Sequence, residues 1–180
     1  MTICTLTELE RQAHSAGLVL RLKVSRPLNF WALRLVVADY PQPDKVRILG
    51  EMKAWAYGGV NGLQLDTMRV SASAPIGVGH LVWAATMAWA LEDTPCRKAR
   101  LLAIRDAEKQ HARLVRYFLM RGFYQVREIS ATPTDFPLRM IWGGSGALMV
   151  ADCTEILKKS FRLWQSCSYS NEDVDVSSSA

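Results

Sequence analysis

The spacing of hydrophobic and polar positions divides the chain into a strand-rich first half and a more helical second half. Residues 18–24 alternate apolar and basic side chains, which is typical of a half-buried strand. Residues 30–38, 46–57 and 63–70 have similar strand character, and a glycine-rich turn at 58–62 joins the last two as a hairpin. The first half is therefore predicted to contain several antiparallel strands.

Helical patterns open the chain and dominate its second half. Thr5 and Glu8 have the spacing of a capping box, which predicts a short helix that ends near Gly17. A long apolar segment that follows Gly79 predicts a buried helix that ends near Glu92. The remaining predicted elements, in chain order, are a strand at 99–104, a helix at 106–121, strands at 124–129 and 139–150, and a small helix at 156–164.

This order of elements predicts a single α/β domain with one mixed sheet over residues 1–165. Residues 166–180 are rich in serine and acidic residues and lack apolar periodicity, so they are predicted to be a disordered, acidic tail. The chain has no secretory signal pattern, and its longest apolar run, 76–91, is shorter than the roughly 20 residues of a membrane span. We therefore expect a cytoplasmic protein without a membrane partner.

The net charge of +5 favours anionic partners, such as phosphorylated cofactors, nucleic acid or acidic surfaces, but does not choose among them. The four cysteines and three histidines are scattered without metal-ligand spacing. Neither a metal site nor a disulfide scaffold is predicted.

A glycine pair at the start of the apolar helix is the first candidate site. Gly77 and Gly79 allow the backbone to approach a ligand, and a helix start presents free N–H groups and partial positive charge to an anion. A diphosphate would fit there. The alternative is that the two glycines only allow close packing of the helix on the sheet.

The helix at 106–121 is the second candidate site, because basic residues recur on one of its faces. Arg113 and Arg116 belong to this basic stripe, which is also explained by exposure to solvent. Few aromatic residues accompany the stripe, and this argues against nucleic acid as a partner. His111 and Phe118 lie on the apolar face, which is interpreted as part of the core, with His111 as a histidine at its edge.

Together, these two sites resemble the second half of the GNAT superfamily of acyl-CoA N-acyltransferases. The matching features are the Gly77-Val78-Gly79 loop that opens a helix, the strand that contains Leu101 to Ile104, and a helix that ends at Arg121-Gly122-Phe123. The resemblance covers residues 63–129. It implies a GNAT-like central mixed, mostly antiparallel sheet flanked by helices.

The resemblance also implies a site for acetyl-CoA as co-substrate. The strand near Met68 and Val70 would pair with the pantetheine arm. The pyrophosphate would be held by the backbone amides of four residues at the helix start, which are Gly77, Val78, Gly79 and His80.

The chain departs from the GNAT pattern at several positions. Ala74 replaces the arginine or glutamine of the loop, and Pro75 removes a backbone donor. Phe118 occupies the position of the usual tyrosine acid and would line the cofactor cleft without a proton to donate. Tyr117 is adjacent, but it is about 100° around the helix and is not expected to substitute. His111 could protonate the leaving thiolate if it faces the cofactor, because histidine commonly titrates near neutral pH.

The general base is least defined by the sequence. Strand alternation places Asp66 on the same side as Met68 and Val70, while Glu51 belongs to the preceding strand. Either carboxylate could deprotonate an amine directly or through water. Both are also explained as charges at the sheet surface.

These observations leave three hypotheses. The first is an acetyl-CoA-dependent N-acetyltransferase that acts on an unidentified amine, with Asp66 and His111 as candidate catalytic residues. The second is a catalytically degenerate GNAT-fold protein that binds or regulates a protein partner. The third is a nucleic-acid-binding domain that uses the basic stripe.

Overall fold

One seven-stranded sheet organises residues 4–176, which are the residues that the computed structural model describes. Its spatial order is β1-β2-β3-β4-β5-β7-β6. The β4–β5 pair is parallel, and every other neighbouring pair is antiparallel. In chain order the strands are β1 (Val19–Ser25), β2 (Trp31–Gln42), β3 (Lys45–Ala56), β4 (Leu63–Val70), β5 (Lys98–Ile104), β6 (Tyr124–Ile129) and β7 (Gly146–Asp152).

Five α-helices flank the sheet within the described residues. They are α1 (Leu6–Ser15), α2 (Val78–Asp93), α3 (Glu108–Arg121), α4 (Phe136–Trp142) and α5 (Cys153–Val176). The α/β class with a central mixed, mostly antiparallel sheet flanked by helices is confirmed. The predicted cap of α1 is also present, because Thr5 Oγ1 accepts a hydrogen bond of 3.2 Å from the backbone N–H of Glu8.

Helix α2 lies at the centre of the hydrophobic core. Every residue from 81 to 90 is buried, as expected for a helix that is apolar on all sides. It packs against β2, β3 and β4, while α1 and α5 cover its other sides. Over the part of the chain that is described, no helix combines the length and the apolar character needed to cross a membrane.

Two predictions for the C-terminal part are corrected by the structure. The segment predicted as a strand at 139–150 begins as helix α4, which Gly143 ends in a left-handed conformation (φ 74°), and only β7 is a strand. A short apolar run does not distinguish helix from strand by its periodicity.

The expected disordered tail from residue 166 is the second correction, because α5 continues to Val176. Trp164 of α5 is buried, and the helix packs along α2. Tertiary packing of this kind stabilises a helix whose local sequence does not predict one. Residues 177–180 of the predicted tail lie outside the described residues.

Candidate functional site

The parallel strands β4 and β5 separate soon after they begin. They pair at two positions, Leu63 with Ala99 and Gln64 with Arg100, and then diverge. Both strands continue beyond these pairs to the same edge of the sheet. Ligands of α/β proteins commonly bind in a crevice at the carboxyl ends of such strands. The divergence therefore defines a candidate binding cleft.

A β-bulge in β4 lies just beyond the point of divergence. Thr67 pairs with Lys53 and Leu65 pairs with Ala54, so Asp66 is the extra residue. The bulge breaks the strict alternation that we used to place Asp66 beside Met68 and Val70. Asp66 is exposed, and its Oδ2 accepts a hydrogen bond of 3.0 Å from Thr67 Oγ1.

The other candidate base, Glu51, belongs to β3, which lies on the side of β4 opposite β5. It pairs in register with Val36 and Arg69, and its carboxylate is 3.9 Å from the Arg69 guanidinium. This contact is explained by charge pairing on the sheet and does not suggest a catalytic role.

The start of α2 has unsatisfied backbone donors. Gly77 precedes the helix with φ 102°, no side chain caps the helix, and no acidic residue occupies its first turn. The N–H of Val78 donates to the Pro75 carbonyl at 3.3 Å. The N–H groups of Gly77, Gly79 and His80 have no acceptor among the described residues. Three of the four predicted amides are therefore unpaired at the helix start.

Helix α5 covers one side of this helix start. An atom at the Cβ position of Gly77 would lie 2.9 Å from Cys167 Cβ and 3.2 Å from the Trp164 ring. Gly77 and Val78 are consequently buried, whereas Gly79 is partly accessible. This cover was not predicted from the sequence, because residues from 166 onward were expected to form a disordered tail.

The carboxyl end of β4 packs directly against the open side of the helix start. A Cβ atom on Gly79 would lie 3.7 Å from Val70 Cγ2 and 3.9 Å from Met68 Cε. The structure thus brings together Met68, Val70 and Gly79, three of the residues predicted to bind acetyl-CoA.

Arg121 of α3 adds a positive charge beside the first turn of α2. Its guanidinium donates a hydrogen bond of 2.8 Å to His80 Nδ1. Burial, and then the charge of Arg121, lower the pKa of His80, so the neutral imidazole is favoured. None of the ion pairs among the described residues involves Arg121. An anion at this position would meet an unneutralised cation.

Aromatic side chains connect α2 and α3 next to this cation. The guanidinium of Arg121 lies 5.2 Å from the Tyr117 ring centroid and 5.9 Å from that of Trp83. Trp83 Nε1 donates a hydrogen bond of 3.0 Å to the Tyr117 hydroxyl. Phe118 packs edge-on against Trp83 and Phe123, at centroid distances of 6.3 and 5.7 Å. Tyr117, which we had set aside, therefore directs its hydroxyl toward α2.

His111 belongs to α3, and its side chain lies beside the end of β5. It is buried, and its Nδ1 is 3.3 Å from the Ile104 carbonyl oxygen. Because a carbonyl only accepts hydrogen bonds, this contact assigns the proton to Nδ1. No hydrogen bond within residues 4–176 joins His111 or Asp66 to the first turn of α2. The two predicted catalytic residues are thus not linked to the helix start by direct contact.

The contacts of Tyr117 and Arg121 with α2 span 34 and 41 residues of the chain. Local sequence patterns do not encode such contacts, and Arg121 was noted only as part of a helix end. In the described part of the chain, no group of three or more histidine, cysteine, aspartate or glutamate side chains is arranged to hold a metal ion.

Comparison with known proteins does not assign the chain to a family. No protein-family model and no curated protein matches it. The 1.55 Å crystal structure of an uncharacterized protein from Bacillus halodurans is similar, with 14% sequence identity and a TM-score of 0.47. The match covers 75% of this chain and 65% of that one, so this chain spans less than two thirds of that protein's length. A likeness of this degree gives no functional assignment.

Proposed function

We propose that the protein transfers the acetyl group of acetyl-CoA to an amine, as GNAT enzymes do. The divergence of β4 and β5 beside the uncapped start of α2 is the observation that carries this proposal. It provides a cleft that could admit a narrow acyl chain and, at its edge, donors for a phosphate group.

The proposed cofactor site uses fewer amides than the resemblance implies. The pyrophosphate binds the N–H groups of Gly79 and His80, and Arg121 supplies the cationic side chain. The pantetheine arm follows β4 past Met68 and Val70, where the strand has separated from β5. Arg121 thereby offsets the loss of the two amides that are covered or already bonded.

Tyr117 is the proposed acid of the transfer step. The amine nitrogen attacks the thioester carbonyl carbon, the C–N bond forms, and the C–S bond breaks. Tyr117 donates its hydroxyl proton to the leaving sulfur; its oxygen is held by the Trp83 N–H, which leaves that proton available. Asp66, at the bulge beside the cleft, accepts the proton that the amine loses.

His111 has a different role in this proposal. Its Nδ1–H is engaged by the Ile104 carbonyl, so the side chain fixes the end of β5 and thus the width of the cleft. It is a positioning residue, and not the acid that we considered as a substitute for the missing tyrosine at Phe118.

The test is release of free thiol from acetyl-CoA in the presence of peptide N-termini, polyamines or lysine side chains. We expect turnover with at least one amine, and Tyr117→Phe should lower it roughly 10²-fold while acetyl-CoA affinity changes little. Tyr124→Phe, which removes a hydroxyl from the exposed strand β6, is the matched control and should retain activity. A Tyr117→Phe protein with full turnover would refute the assignment of the acid.

A catalytically inactive binding protein is the second candidate. Helix α5 favours it, because Trp164 and Cys167 cover the Gly77 side of the helix start. This function predicts acetyl-CoA or CoA binding without thiol release for any amine.

A further inference from the structure

The face of the sheet opposite α2 carries like charges in register across three strands. Lys23 of β1 pairs with Arg34 of β2, and Arg34 pairs with Lys53 of β3. All three side chains are exposed. Like charges directly opposite each other destabilise a sheet, so this row has an energetic cost in the absence of a partner.

This row lacks a neutralising carboxylate among the side chains that the structure describes. Lys23, Arg34 and Lys53 take part in none of the ion pairs found among the described residues. Glu51 lies on the same face, but its partner is Arg69 at 3.9 Å. The row is therefore an uncompensated cationic surface about 10 Å wide, given a strand spacing of about 4.8 Å.

An aromatic cluster borders the same cations. A shallow groove of about 190 Å³ is lined by Lys23, Arg34, Lys53 and Trp55, among others. The Phe30 ring lies 5.6 Å from that of Trp55 and 5.7 Å from that of Tyr57. Trp55 and Tyr57 remain 36% and 42% exposed, so ring surface is available beside the cations.

We propose that this open sheet face binds single-stranded nucleic acid. Cations that follow a backbone and aromatic rings on which bases stack are the two features that such sites combine. A second copy of the chain is disfavoured, because a symmetric contact would oppose cationic rows. An acidic peptide would satisfy the cations but would not require the adjacent rings.

From the sequence alone, the helical stripe on α3 was the only candidate surface for nucleic acid, and its few aromatic residues disfavoured that partner. The open-face residues come from three strands and a preceding loop, and only the sheet brings them together. The proposal is independent of acyl transfer, since it involves neither the cleft nor α2.

The test is fluorescence anisotropy of a labelled uridine oligonucleotide of about 12 nucleotides, titrated with the full chain at several salt concentrations. Lys23→Gln, Arg34→Gln and Lys53→Gln should each weaken binding and lower the slope of log affinity against log salt by about 0.7. Trp55→Ala should weaken binding about tenfold without changing that slope. Tyr57→Leu provides a second ring variant if Trp55→Ala does not fold.

Arg113→Gln is the matched control, because it removes the same charge from the exposed face of α3 and should leave affinity unchanged. Equal losses for Arg113→Gln and Arg34→Gln would overturn the proposal, as would the absence of binding at low salt. A polyglutamate peptide or anionic vesicles that bind as tightly as the oligonucleotide, with no effect of Trp55→Ala, would also overturn it.

Discussion

The two faces of the sheet differ in how much of their surface is covered by helices. On one face, Leu35 and Met52 are buried beneath α2, and the neighbouring positions are similarly apolar. On the other face, Arg34 and Lys53 alternate with these core residues and remain exposed. The covered face supplies the stability of the fold, whereas the open face has a charge arrangement that fold stability does not explain.

The candidate sites follow the same division. The proposed acetyl-CoA cleft lies where the helical layer meets the diverging strands, and its cation is held against aromatic rings. The proposed nucleic-acid surface uses side chains that project from the strands themselves. One proposed site thus lies at the edge of the helical layer, and the other lies on the sheet face that α2 does not cover.

The largest expected effect is on the free energy of unfolding, and it distinguishes the buried Trp164 from the exposed Trp55. Trp164→Ala should lower the free energy of unfolding by about 3–5 kcal/mol, because it leaves a cavity between α5 and α2. Trp55→Ala should lower it by about 1 kcal/mol, mainly through its contact with Phe30. Urea unfolding of both variants measures the difference. Equal losses would contradict the division into a covered and an open face.

A smaller effect concerns His80 at the edge of the covered face. Its pKa in the folded protein is below the ordinary value of 6.5, so the unfolded chain takes up a proton more readily. The stability that His80 contributes is therefore present above pH 6.5 and is lost as the pH falls through the folded pKa. The His80→Gln protein should therefore lose less stability than the wild type as the pH falls below 6.5.

The control for this pH dependence is His14→Gln, since His14 is exposed on α1. Thermal melts of the three proteins between neutral and mildly acidic pH provide the measurement. A His80→Gln protein with the pH dependence of the wild type would show that burial and the charge of Arg121 do not oppose protonation of His80.

The smallest effect is expected for the central cation of the open face. Arg34→Gln relieves repulsion from both Lys23 and Lys53, so the Tm should rise by about 1–3 °C. Arg113→Gln, which has no such cross-strand neighbours, should leave the Tm unchanged. A lower Tm for Arg34→Gln would show that the row is not a source of strain.

The sequence was sufficient to predict the elements with strong periodicity and an apolar helix that opens at the glycine pair Gly77 and Gly79, within two residues of the observed start. The resemblance to the GNAT superfamily implied that Met68, Val70 and Gly79 contribute to one cofactor site, and these three residues lie close together in the fold. The sequence did not predict the bulge at Asp66, since one extra residue changes the pairing without changing the local pattern.

The contacts that most affect the candidate sites join distant parts of the chain. The Tyr117 hydroxyl accepts a hydrogen bond from Trp83. Helical geometry alone had placed Tyr117 about 100° around α3 from Phe118, the expected position of the acid. The cationic row depends on strand register, and register is set by pairing across the whole sheet. Neither feature is encoded within a short window of sequence.

Calorimetric titration with acetyl-CoA tests the central claim most directly, with variants of Gly79. A Cβ atom at Gly79 would make only ordinary contacts with Val70 and Met68, so Gly79→Ala should fold and bind acetyl-CoA like the wild type. Gly79→Asp places a carboxylate beside the proposed pyrophosphate position and should abolish binding. A folded Gly79→Asp protein with unchanged affinity, or a wild-type protein that does not bind acetyl-CoA, would contradict the account.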